Sequence, residues 1–159
     1  MLSFLLKWRP YFFRLSFAHN PVLTTTAEIK ETPKRLVIPS LNINLEVTPG
    51  VITDGNWEIS QTGVSYLQGS GLPGKPGNLV IYGHNKKNLL GPLISLKKEA
   101  EIIIENEQNQ KFTYEVTETK IVSPEKVEVL KPTSDARLTL YTCTGFFDGQ
   151  RLVVVAKLK

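Results

Sequence analysis

The chain has 159 residues, 41% of them apolar, and a formal net charge of +4. That length suits one domain with a sizeable core, and the apolar share excludes both a disordered chain and a bundle of membrane helices. The charge sits at the front, in Lys7, Arg9 and Arg14 ahead of the first acidic residue, Glu28, so the body is near neutral and lacks the basic stripe of a nucleic-acid binder.

Residues 1–18 are aromatic and basic, but Lys7, Arg9, Pro10 and Arg14 break the apolar run well short of the roughly 20 residues that a spanning helix needs. Interleaved Trp, Tyr, Phe and cations fit a leader lying at a membrane interface; the alternative is a remnant leader without structure. His19 follows it without structural context, and residues 19–34, polar and Thr-rich, read as a linker. The folded body is expected from Arg35 to Lys159.

Short strands are expected at Leu36–Pro39 and Ile43–Val47, around a turn at Ser40–Asn42. Pro49-Gly50 and Asp54-Gly55 are turn signals, and Trp57–Ile59 reads as another short strand. Residues 63–78, rich in Gly and Pro, read as a loop. Leu79–His84 then forms a continuous apolar run, the pattern of a strand buried on both faces. Asn88–Leu96 can carry one helical turn, and Glu101–Glu105 is a strand. From Lys111 to Val122 the residues alternate, with Phe112, Tyr114 and Val116 on one face. Ser123 followed by Pro124 predicts a short helical turn. Arg137–Cys143 and Leu152–Leu158 are β-rich runs joined by a Gly/Asp turn that ends at Arg151, which opens the second strand. About eight short strands with tight turns and almost no helix predict an all-β fold, a small closed barrel with one or two short helical turns.

The chemistry-bearing residues cluster at strand ends. Cys143, the only cysteine, excludes an intrachain disulfide and a thiolate-cluster zinc site. Taken alone, it reads as a small buried hydrophobe. His84, the only histidine in the body, ends the most buried strand. A thiolate, not a thiol, is the nucleophile, and an imidazolium both favours its formation and supplies a proton to a leaving amine. A guanidinium such as that of Arg151 can stabilise the oxyanion that develops on the attacked carbonyl. A phosphatase-type phosphate loop is excluded, because the spacing of seven residues between Cys143 and Arg151 is too long and a Val-rich strand, not a helix, follows.

TLYTC at 139–143 matches the TLxTC signature of sortases, the cysteine transpeptidases of bacterial cell surfaces. With Gly83-His84 upstream and Arg151 downstream, the chain resembles this family over residues 35–159. The resemblance implies an eight-stranded sortase-type barrel and catalytic roles for His84, Cys143 and Arg151. It further implies that Thr142 contacts substrate and that the enzyme acts at the extracytoplasmic face of the cell membrane, which it meets through the N-terminal segment. The implied partners are surface proteins with a C-terminal LPxTG-like sorting signal and an amine from a peptidoglycan precursor or a pilin lysine. No cofactor and no nucleic acid are implied. Some members bind calcium through carboxylates in the loop before the His strand, but residues 63–78 contain no Asp or Glu, so no metal site is expected there. No N-terminal lid with an Asp-aromatic plug is evident, unlike the pilus-polymerising members. The competing reading is a non-catalytic barrel that binds a peptide or wall component, with Cys143 structural.

Overall fold

The described residues form ten strands, and eight of them close into one barrel. The structure, a computed structural model, describes residues 30–159. The leader at 1–18, most of the linker and His19 lie outside the described residues. The strands are β1 (Pro33–Ile38), β2 (Ile43–Gly50), β3 (Ile52–Thr53), β4 (Asn56–Trp57), β5 (Val64–Leu67), β6 (Gly77–Gly83), β7 (Glu101–Asn106), β8 (Lys111–Val122), β9 (Ala136–Thr144) and β10 (Gln150–Leu158). The barrel order is β1-β2-β5-β6-β9-β10-β8-β7, returning to β1. Neighbours are antiparallel except for β2 with β5 and β6 with β9, which run parallel. Among the described residues, no helix is long and apolar enough to cross a membrane.

Strand alternation sorts the apolar residues into two layers. Leu79, Ile81, Tyr114, Val116, Leu138, Leu140, Leu152 and Val154 belong to the cluster that fills the barrel. Val80, Tyr82, Tyr141, Val153 and Val155 face the other way and form a second cluster with Leu67 and Leu130. That outer layer is roofed by Trp57 and Ile59 on one side and by Val122 and Val129 on the other. Trp57 is the main pin of the roof. It stacks on Tyr141 at 5.5 Å and 7° and meets Tyr82 edge-on at 4.8 Å, and the Tyr82 hydroxyl donates to the Glu58 carbonyl at 2.7 Å.

Several local expectations change. The loop expected over residues 63–78 contains β5, a buried four-residue strand, and its last residues begin β6. Pro49-Gly50 is not a turn but the end of β2, paired with Tyr66 and Leu67. A Cβ on Gly50 would lie 2.3 Å from the Tyr82 hydroxyl and 2.8 Å from the Glu58 carbonyl, so this glycine permits close approach of the roof. The strand expected at Trp57–Ile59 is the two-residue β4, whose hairpin with β3 turns at Asp54-Gly55, both at positive φ. Short 3₁₀ turns occur at Pro39–Leu41, Gly91–Ser95, Val127–Leu130 and Phe146–Asp148, more than the one or two expected. Within residues 123–130, where one helical turn is expected, Lys126 N closes a turn on the Ser123 carbonyl and a 3₁₀ turn follows at Val127–Leu130, without the expected side-chain cap.

Candidate active site

Register alone brings the three predicted groups together. Cys143 is the direct cross-strand partner of Arg151 in the antiparallel β9–β10 pair. In the parallel β6–β9 pair, Gly83 is opposite Thr142, so His84 leaves β6 at the level of Cys143. By alternation, Cys143 shares the outer face of β9 with Tyr141, and Arg151 shares that of β10 with Val153. His84, Cys143 and Arg151 are each half-buried. The site therefore lies at the edge of the outer layer, where the roof ends and the sheet meets solvent.

The two threonines of the TLYTC run act as ties. Thr142 is buried, and its hydroxyl donates to the Gly83 carbonyl at 2.8 Å. This hydrogen bond joins the residue before the nucleophile to the residue before the imidazole. Neighbours on a strand point to opposite faces, so the Thr142 side chain faces away from that of Cys143 and its hydroxyl is paired inward. Thr139, buried on the outer face, donates to Asn78 Oδ1 at 2.7 Å. Asn78 Nδ2 in turn donates to the carbonyls of Val129 and Lys131 at 3.0 Å each, which fastens the segment before β9 over the sheet.

Arg151 is held from several sides. Its Nη1 donates to the carbonyls of Asp148 and Gln150 at 2.7 and 2.9 Å, in the connection that follows Cys143. Burial raises the pKa of the Tyr141 phenol, while the neighbouring Arg151 opposes the shift. On the open side, Glu125 is held below the usual carboxylate range by its own backbone N–H, the Ser123 hydroxyl and the charge of Arg151. The turn itself exposes Phe146 and Phe147 almost fully, with Phe147 and Asp148 at φ 51° and 55°.

Gln61, Tyr141 and Glu125 are the neighbours that the sequence did not disclose. Gln61 Nε2 lies 3.2 Å from His84 Nε2. Tyr141 occupies the variable position of the signature, where the pattern carries no information. Among the described residues, no group of three or more His, Cys, Asp or Glu side chains could hold a metal ion.

A thiol, an imidazole and a guanidinium at one rim of a closed eight-stranded barrel form a set whose chemistry suits nucleophilic acyl transfer through sulfur. Comparisons with known proteins make this specific. The family model for the sortase domain matches residues 36–159. Sortase A of Listeria monocytogenes is 33% identical over 128 residues, covering 78% of this chain and 55% of that protein. Sortase A of Bacillus anthracis is 31% identical over 138 residues, covering 85% and 63%. Among solved structures, that of the Listeria enzyme superposes with a TM-score of 0.68 at 30% identity, covering 81% of this chain and 88% of that one. Sortase C-1 of Actinomyces oris gives 0.70 at 28% identity, covering 84% and 77%. The chain belongs to the sortase family. It spans about half the length of the first curated relatives it matches.

Proposed function

We propose that this chain is a cysteine transpeptidase that cleaves an LPxTG-like sorting signal and joins the released acyl group to an amine. The observation that carries the reading is the cross-strand pair Cys143–Arg151 with His84 at the same level of the adjoining strand, on the outer face of a sortase-family barrel. The Cys143 thiolate attacks the carbonyl carbon of the signal's Thr, and the electron pair moves to oxygen beside the Arg151 guanidinium. Collapse of this tetrahedral species breaks the C–N bond, and His84 gives its proton to the departing amine. The thioester is then attacked by an incoming amine, which loses a proton to His84 as the C–S bond breaks. Water in place of that amine gives slow hydrolysis.

The acceptor in this reading is an amine of a peptidoglycan precursor or a pilin lysine, and the substrates are surface proteins carrying the signal at their C-terminus. The setting is the extracytoplasmic face of the cell membrane, which residues 1–18 meet through their aromatic and basic side chains, with 19–34 as linker and 35–159 as the catalytic domain. The family supports this setting. Thr142 enters as the residue that keeps β6 and β9 in register beneath the reacting groups.

Incubation with a panel of LPxTG-like peptides and hydroxylamine is expected to give a hydroxamate, with an acyl-enzyme adduct on Cys143 visible by mass spectrometry. Cys143→Ala is expected to abolish both. A wild-type chain that forms no adduct with any peptide, and whose thiol reacts with alkylating reagents no faster than an ordinary surface thiol, is instead the non-catalytic peptide- or wall-binding barrel.

A further inference from the structure

Gln61 contacts the imidazole from the roof side of the site, and its second hydrogen bond determines what that contact means. The same Nε2 that lies 3.2 Å from His84 Nε2 also lies 3.3 Å from the Ile59 carbonyl oxygen. A carbonyl oxygen only accepts, so the atom facing it is the amide NH2 and not the amide oxygen. That NH2 then also donates to the ring, which requires a bare lone pair on His84 Nε2. The neutral ring must therefore carry its proton on Nδ1. Unconstrained neutral histidine prefers the opposite tautomer, with the proton on Nε2, so the contact selects a state that the ring does not favour by itself.

The segment bearing Gln61 is fastened at both ends. On one side Trp57 is fixed against Tyr82 and Tyr141. On the other, the Ser60 hydroxyl accepts from Gly63 N at 3.1 Å and the Ser65 hydroxyl accepts from Ser60 N at 3.0 Å. Gly63 cannot be replaced without moving the chain, because a Cβ there would lie 2.4 Å from the Glu46 carbonyl. Gln61 is thus an exposed side chain on a tightly held backbone, an arrangement that directs a polar group at low ordering cost.

We propose that Gln61 is the positioning residue of His84: its amide engages Nε2, keeps the proton of the neutral ring on Nδ1 so that Nε2 is the nitrogen that takes up and returns the catalytic proton, and turns to present its oxygen when the ring becomes doubly protonated. A glutamine serves both ring states, since either end of its amide can face Nε2. A carboxylate at this place would favour the imidazolium, and an alanine would leave the ring free to rotate. The ionisable groups on the elements around the ring are Lys86 and Lys87 on its own loop, Glu58 beside Gln61, Cys143 on β9, Arg151 on β10 and Glu125 ahead of β9. The kinetic consequence rests on the transpeptidase reading; the tautomer does not.

The test uses the full chain labelled with 15N-histidine. Only two histidines are present, so His84→Gln assigns the signals. Two-bond 15N–1H spectra above the ring's titration are expected to show Nδ1–H for His84 in the wild type and a return to Nε2–H in Gln61→Ala. In the hydroxylamine assay, Gln61→Ala is expected to lower kcat about tenfold with KM within about twofold. Gln61→Glu is expected to displace the pH–rate profile to higher pH, an effect that a merely structural role would not produce. An Nε2–H ring in the wild type, or a tautomer and pH profile that ignore all substitutions at Gln61, overturns the proposal. If the tautomer follows Gln61 while no acyl-enzyme ever forms, positioning stands and the transpeptidase reading falls.

Discussion

Replacing Thr142 by Val tests whether the tie beneath the site is functional. Valine has nearly the same shape, so no cavity opens, but the 2.8 Å hydrogen bond to the Gly83 carbonyl is lost. Thr142 is 2% exposed, so water does not replace its hydroxyl. A net hydrogen bond of about 1 kcal/mol, plus part of the cost of an unsatisfied buried carbonyl, gives a destabilisation of about 1–2 kcal/mol. For a chain of this size that lowers the melting temperature by roughly 3–6 °C. Thr142→Ser is the control, since it keeps the hydroxyl and removes a buried methyl worth about 1 kcal/mol. The two variants are therefore expected to be similarly destabilised but unequal as catalysts. With the tie gone, Gly83 and the following His84 are less firmly set against β9, and kcat/KM for Thr142→Val is expected to fall about tenfold while Thr142→Ser stays within about threefold of wild type. Thermal unfolding and the hydroxylamine assay read the two effects separately. Equal activity in the two variants would refute the reasoning, as would an unchanged melting temperature for Thr142→Val.

Two further predictions concern stability. Burial, with help from Glu58, pushes the Tyr82 phenol up to about 12 from the usual 10, which favours the neutral form in the folded state. That contribution is complete below pH 10 and is lost as pH rises through 12, by about 2–3 kcal/mol for a side chain 2% exposed. Urea midpoints measured at pH 9 and 11.5 are expected to fall more steeply for the wild type than for Tyr82→Phe, and parallel slopes would contradict the assignment. At Phe147, where φ is 51° and the ring is 89% exposed, glycine is expected to relieve left-handed strain and raise stability by about 0.5–1 kcal/mol; a lower melting temperature for Phe147→Gly would show that the ring contributes packing after all.

The strands that alternate or run continuously apolar were legible because burial on one or both faces imposes that pattern. Tyr114 and Val116 enter the core as their spacing predicts, and Leu79 to Tyr82 are buried on both faces of β6. β5 was hidden because its four residues are all buried, leaving no alternation, and it lies between glycines that resemble loop punctuation. Gly50 misled for a related reason. It serves the close approach of the roof, a long-range demand that looks locally like a turn. At the site, Cys143, His84 and Arg151 could be found because their chemistry is rare in this chain, whereas Gln61 is one polar residue in a polar segment and becomes meaningful only through its distance to His84. The direction of Thr142 follows from the strand itself, because a residue adjacent to Cys143 on a strand cannot share its face.

The parallel pairing of β6 and β9 also bears on how the protein comes to be. Gly83 and Thr142 are 59 residues apart in the chain, and strands that run parallel must be joined by a long excursion, here through β7 and β8. Closing so distant a pair makes folding slow compared with that of a chain built from local contacts. It also means that the thiol and its imidazole meet only after this pairing forms. On the transpeptidase reading, Cys143 has no neighbouring base in sequence while the chain is being made and folded, and its reactivity is expected to appear only with completion of the barrel. The appearance of thiol reactivity during refolding is thus a direct clock for the closing of β6 against β9.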